Sequence, residues 1–247
     1  MVCVPFAMKI SLRQKPVVLL YSLLAVSFVL TANAFADDHD SMSCPGTLPA
    51  AHATLADGDQ NSGSHLQVSR KIDAGAEFDL DICAADVTLT GSPDNVFRVT
   101  VHLENPSQQH TPGDYLQKLD VTSFHVKLQL HLMRALHAKV TIELPAAPPE
   151  LTANLGRGDL TLIADRIGGK QENINVGYGR VEFQGNADAY ENLQVNIGLG
   201  SLHDHRRDGQ SHHFIVARSF EGTGKGSIDV NVGMGRVDLN PGQSKPI

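Results

Sequence analysis

The sequence predicts an all-β chain whose later half is a single-stranded parallel β-solenoid behind a strand-rich N-terminal cap. Three observations predict it. The pattern Asn, apolar, Gly, any, Gly, any, apolar recurs at "NLGRGDL", "NVGYGRV", "NIGLGSL" and "NVGMGRV", beginning at Asn154, Asn175, Asn196 and Asn231. The first three copies are 21 residues apart, a period in the range of solenoid repeats. Aromatic residues make up 5% of the chain and Trp is absent, which suits a narrow core of Val, Ile and Leu.

Residues 1–36 read as a secretory signal peptide. Lys9, Arg13 and Lys15 precede the apolar run from Val17 to Leu30, and Ala34 and Ala36 supply a small-x-small exit before Asp37. The apolar run is shorter than the ~20 residues a bilayer span needs, so the mature chain is expected to start near Asp37, in the periplasm or at the cell surface. Cleavage removes three of 20 Lys and Arg and none of 27 Asp and Glu, leaving a formal charge of −10. Such a surface repels nucleic acid and anionic lipid, and no second apolar run of spanning length follows. Cys44 and Cys83 survive cleavage. In an oxidising compartment they are expected to pair, which stabilises by on the order of 3 to 4 kcal/mol in the chain-entropy model; the alternative is two unpaired thiols.

Residues 37–64, rich in Asp, Ser, Gly, Ala and His, show no periodicity and read as a flexible linker. Residues 65–247 are then the β-solenoid domain, with glycine-cornered repeats from about 151. In its first part "FDLDI", "DVTLTG", "NVFRVTVHLE", "HVKLQLHL" and "AKVTIELP" alternate apolar and polar residues as strands do. "NPSQQHTPGD" interrupts them, and "YLQKL" after it is read as a helical turn or two.

Within a repeat the apolar residues before the glycines (Ile174, Val176) and after them (Val181, Phe183) differ in parity. The Gly-x-Gly must therefore turn the backbone and reset which face points inward. Gly156, Gly158, Gly177, Gly179, Gly198, Gly200, Gly233 and Gly235 are the expected corners, because glycine accepts positive φ and close backbone approach. Residues one period apart should stack: Asn154, Asn175 and Asn196 as an amide column, Asp159, Arg180 and Ser201 as a second, Thr161, Glu182 and His203 as a third, with no like charges adjacent. The fourth copy lies 35 residues on, so 14 extra residues fall between Leu202 and Gly222. They form either a loop or, through "FIVARSF", an added strand.

The run "FDLDICAADVTLTGSPDNVFRVTV", "VTIELP" at mid-chain and the repeated Gly-x-Gly units resemble the putative-adhesin family of secreted bacterial β-strand-repeat proteins, a domain of largely unknown function. The resemblance spans about Phe78 to Leu239. It implies a right-handed solenoid outside the cytoplasm and supplies no catalytic residues; the insertion departs from the family's plain repeat.

The candidate binding loop is His203, Asp204, His205, Arg206, Arg207, His212 and His213. His-x-His on an extended segment projects both imidazoles to one face, a donor set that suits zinc, nickel or copper. Against it, the spacing fits no structural-zinc pattern and two arginines adjoin, so no metal site and no cofactor are assigned. His125, His131 and His137 read as exposed strand positions. The glycines precede strands, not the helix a phosphate cradle needs, and Asp159 and Asp238 fall at different places in their copies, unlike calcium-binding repeats. There is no Gly-x-Ser-x-Gly elbow. Asp159, Glu182 and Asp238 form an acidic set that a glycan-active β-helix enzyme would need; ladders of polar residues on a solvated face explain them better. The expectation is a noncatalytic, adhesin-like scaffold or binding module of the cell envelope, with an envelope protein or glycan as partner and self-association through open strand edges. The alternatives are the glycan-active enzyme and a metal-binding envelope sensor.

Overall fold

Alternation in the sequence becomes alternation in burial. Along His125–Leu130 the apolar residues Val126, Leu128 and Leu130 are buried, while Lys127 and Gln129 face outward onto Asp79 and Asp81. The structure, a computed structural model, describes residues 52–73, 75–206 and 209–242. The signal segment, Cys44 and Arg207 lie outside the described residues; Cys83 is buried.

Among the described residues, thirteen strands form one sheet of mixed direction that does not close into a barrel. They are β1 (Gln60–Ser62), β2 (His65–Lys71), β3 (Glu77–Ala84), β4 (Asp86–Gly91), β5 (Val96–Leu103), β6 (Leu116–Val121), β7 (His125–Leu130), β8 (Ala138–Leu144), β9 (Leu151–Ile163), β10 (Gln171–Gln184), β11 (Asn192–Asp204), β12 (Gln210–Glu221) and β13 (Ser227–Asn240). A single helical turn, α1 (Ala164–Ile167), links β9 to β10 and ends on Gly168 at φ 61°. Inside the segment read as a linker, β1 pairs with β2, and the Ala53 N–H bonds the Leu116 carbonyl.

The four Gly-x-Gly copies occupy β9, β10, β11 and β13, each a long strand bent at its glycines. Leu151, Ala153 and Leu155 are buried before the bend of β9, and Leu160 and Leu162 after it, so the parity does switch. The first half of β9 pairs with β3 and the second with β4. The sheet thus divides at the corner into two arms, β3-β7-β6 and β4-β8-β5-β2-β1. Only the second glycine of each pair requires a left-handed backbone: φ is 134° at Gly158, 152° at Gly179, 157° at Gly200 and 154° at Gly235. A Cβ on Gly179 would overlap the Gly158 carbonyl oxygen, and one on Gly235 would overlap that of Gly179. Backbone sits on backbone at this corner, and a side chain has no room.

The strand order corrects the expectation of successive parallel coils. The order is β9-β10-β13-β11-β12. Val176 and Ile197, expected as neighbours, both pair with Val232 between them. The reason is the 14-residue insertion, which forms β12 and folds back antiparallel on β11. That hairpin occupies one edge of β11, and β13 fills the other, against β10. Direction is corrected too, because β1–β2, β2–β5, β5–β8, β6–β7 and β11–β12 are all antiparallel. Short turns join most of these neighbours, and short turns permit only antiparallel pairing. "YLQKL" is also corrected: after a 3-10 turn at Pro112–Tyr115 it enters β6, where pairing with β7 outweighs its local helical pattern.

Candidate functional site

The predicted loop is a hairpin end. His203 and Asp204 close β11, His212 and His213 lie on β12, and the register sets His203 against Ser211 and Ser201 against His213. The His203 ring stacks on His205 at 6.3 Å between centroids and meets His213 edge-on at 5.8 Å. Its nitrogens lie 3.1 Å from Ser201 Oγ and 3.1 Å from Ser211 Oγ. Burial and the nearby Arg236 charge lower the His203 pKa, which favours the neutral ring. Among the described residues no group of three or more His, Cys, Asp or Glu is arranged to hold a metal ion.

Asp204 and Arg206 face away from that cluster. Asp204 is buried and accepts from Arg206 at both oxygens, each at 3.0 Å. The same guanidinium donates to Tyr190 Oη at 2.6 Å and lies 4.9 Å from the Phe220 ring centroid. It forms the wall of a cleft of about 650 Å³ with Tyr190, Phe220 and Asn186. With its charge met by Asp204, Arg206 reads as a brace for the hairpin.

Insertion of β13 also corrects the charge columns. Arg180 now stands beside Arg236, and Glu182 beside Asp238. These like-charged neighbours are reconciled diagonally. Asp238, 0% exposed, accepts from Arg180 Nε at 2.5 Å and from Arg236 Nε at 2.7 Å, and His205 Nε2 lies 3.5 Å away. Burial pushes the Asp238 carboxyl up, but the two arginines overcome it and hold the pKa below the usual value. Both Asp238 oxygens are thus engaged by arginine. In the acidic set, Asp159 accepts the Arg180 backbone N–H at 3.2 Å and Glu182 accepts from Gln184 and Asn240.

The residue between the glycines, written "any" in the motif, carries the surface feature the sequence reading passed over. Register places Arg157 beside Tyr178, Tyr178 beside Met234, and Met234 beside Leu199. With the second glycine of each pair turned, these side chains project from the corner: Tyr178 is 52%, Met234 46% and Leu199 50% exposed. The Arg157 guanidinium caps the row, 4.9 Å from the Tyr178 ring centroid. β12 rounds the same corner with Phe214 opposite Gly200, and Phe214 and Ile215 are 76% and 80% exposed. Five of the six large exposed apolar side chains among the described residues therefore fall at one corner. Apolar groups gathered this way, unlike scattered ones, mark interaction sites.

A second missed feature is internal. Glu172 shares an inward column with Leu151, Ile228 and Leu193, yet it is buried. Its Oε1 accepts the Gly169 N–H at 2.8 Å and its Oε2 has no hydrogen-bond partner among the described residues. Burial raises its pKa to about 7, against a small opposing effect of that one hydrogen bond. The 21-residue spacing from Leu151 to Glu172 to Leu193 was the available signal.

Among the described residues no helix is long and apolar enough to cross a membrane. No family model matches the chain, and no curated protein does. Two solved structures are similar. One is described as a "putative cell adhesion protein" from Clostridium sporogenes, with 13% identity, TM-score 0.45, and coverage of 74% of this chain and 100% of the other. The second is described as a "putative lipid binding protein" from Parabacteroides distasonis, with 9% identity, TM-score 0.22, and coverage of 74% and 98%.

Proposed function

We propose that the protein is an exported, noncatalytic binding module of the cell envelope, adhesin-like in action, whose binding face is the corner row Arg157, Tyr178, Met234 and Leu199. The exposed row carries this reading: three apolar side chains in line at a corner where backbone packs on backbone. A rigid row loses little conformational freedom on binding, which favours affinity. We also read β9, β10, β13 and β11 as the coils of a right-handed β-solenoid and the strands before Leu151 as its cap. Their in-register parallel pairing supports this.

The noncatalytic reading rests on the engaged state of Asp238. A glycan-active enzyme needs a pair of available carboxyl groups, and in this set Asp238 is clamped by arginines while Asp159 accepts the Arg180 N–H and Glu182 accepts from Gln184 and Asn240. Export rests on the tripartite segment before Asp37. The test is capture from an envelope fraction by the mature chain and by a Tyr178→Ser, Leu199→Ser, Met234→Ser variant of equal thermal midpoint. Loss of the captured partner in the variant is the expected result. Equal capture by both overturns the corner as the binding face.

A further inference from the structure

We propose that His203, His205 and His213 form an acid-sensitive latch on the open end of the β11–β12 hairpin, closed while the rings are neutral and released when they carry charge. The rings are already in contact, His203 with His205 at 6.3 Å and with His213 at 5.8 Å between centroids. The Ser201 and Ser211 hydroxyls meet the two nitrogens of His203, which gives a neutral ring one donor and one acceptor. Imidazole is the side chain that ordinarily gains its charge between pH 5 and 8. Three imidazolium rings at these distances lie inside the Debye length of about 8 Å at physiological salt, so their repulsion is not screened away.

The described groups packed around the cluster supply no spare negative charge. On β13, beside His203, Asp238 accepts from Arg180 and Arg236 and lies 3.5 Å from His205. On β10, Arg180 is also 3.7 Å from Glu182. Two arginines are thus matched by two carboxylates before any imidazole is charged. On β11 itself Asp204 faces away, paired with Arg206. On β12, Ser211 is neutral, and His212 lies opposite Leu202 on the other face, its Nδ1 3.3 Å from Arg218. Burial and the Arg236 charge already disfavour a proton on His203.

The hairpin end can release without disturbing the rest of the sheet. Pairing of β11 with β12 breaks register between Ile197 and Gly200, and beyond the break five pairs remain, from Gly200 with Phe214 to Asp204 with Gln210. Phe214 holds φ 74° there, a conformation unfavourable for a bulky side chain, which release relieves. β11 is held along its other edge by β13, whereas β12 is the last strand of the order and buries only Val216. The segment that moves is therefore residues 210–215, and Phe214 and Ile215 leave the corner with it. On the reading of the corner row as the binding face, acid then changes that face; the latch itself does not depend on that reading.

Hydrogen exchange of the mature chain at pH 8 and pH 5, with times scaled for the intrinsic exchange rate, tests it. At pH 5 exchange of residues 210–215 is expected to rise by at least about tenfold, with no rise in β10 or β13. Salt at about 1 M, where the Debye length is about 3 Å, is expected to restore protection. His203→Gln with His213→Gln should remove the acid response, and His102→Gln, at an exposed position on β5, should leave it intact. Equal thermal midpoints at pH 8 establish that the variants are folded. Equal protection at both pH values overturns the proposal, and so does an acid response that survives in the double variant or is indifferent to salt. Glu172 cannot mimic the response, because its contribution to stability grows in acid.

Discussion

Asn231 donates from Nδ2 to Oδ1 of Asn175 at 3.0 Å, joining residues 56 apart in sequence. The bond is one link of a directional chain. Asn196 donates to Asn231 at 3.0 Å, Asn175 to Asn154 at 2.9 Å, and Asn154 to Asp81 at 2.9 Å. A carboxylate accepts without donating, so Asp81 fixes the direction of every amide behind it. Asn231→Ala removes two links and is expected to destabilise by about 1 to 3 kcal/mol. Asn196→Ala, at the open end, removes one and should cost about half as much. Urea unfolding of both variants measures the ratio, and equal costs would contradict the chain.

The corner glycines are expected to be unequal. Gly179→Ala combines φ 152° with overlap on the Gly158 carbonyl, and a cost above about 3 kcal/mol is expected. Gly168 also has positive φ, 61°, but nothing lies within 4 Å of a Cβ there. Gly168→Ala should cost about 1 kcal/mol. Thermal unfolding separates them; similar midpoints would mean that close approach does not govern the corner.

These corners were legible in the sequence because only glycine satisfies both requirements, and the parity change between Val176 and Val181 demanded a turn between them. The strand order was not legible. Asn175, Asn196 and Asn231 sit in nearly identical local contexts, so spacing alone cannot tell which copy lies beside which. A tertiary fact decides it: β12 takes an edge of β11 that a simple coil count assigns to the next repeat. The exposed corner row was hidden for another reason. Arg157, Tyr178, Leu199 and Met234 share no residue type, and their common feature is exposure, which appears only when the backbone is bent.

Glu172 makes stability depend on pH with a defined sign. Its folded pKa, about 7, lies above the ordinary glutamate value of 4.5, so the folded state holds the proton more tightly than the unfolded one. Its contribution is fully present below about pH 4.5 and is lost as pH rises through about 7. The loss is on the order of 3 kcal/mol. Glu172→Gln should flatten the stability profile between those values, and Glu172→Leu should be the more stable protein at pH 8. Urea midpoints at pH 5 and pH 8 measure it; an unchanged slope in Glu172→Gln would assign the dependence to other groups.

Asp238 has the opposite sign. Its lowered pKa contributes stability above the ordinary carboxylate value, and that is lost as pH falls through the folded value. Asp238→Ala leaves Arg180 and Arg236 side by side without their shared acceptor, and a cost of about 2 to 4 kcal/mol is expected. Replacing Arg180 by Leu in the same chain should recover part of it, because one of the two facing charges is gone. No recovery in the double variant would contradict the diagonal clamp.

The order of strands at the corner can be measured by disulfide trapping. Facing positions on paired strands lie within reach of a disulfide, whereas positions two strands apart lie beyond it. With β13 between β10 and β11, Tyr178→Cys with Met234→Cys should close a bond, read as a linked peptide pair by mass spectrometry. Tyr178→Cys with Leu199→Cys should remain open. A bond between positions 178 and 199, and none between 178 and 234, would contradict the arrangement on which the proposed binding face depends.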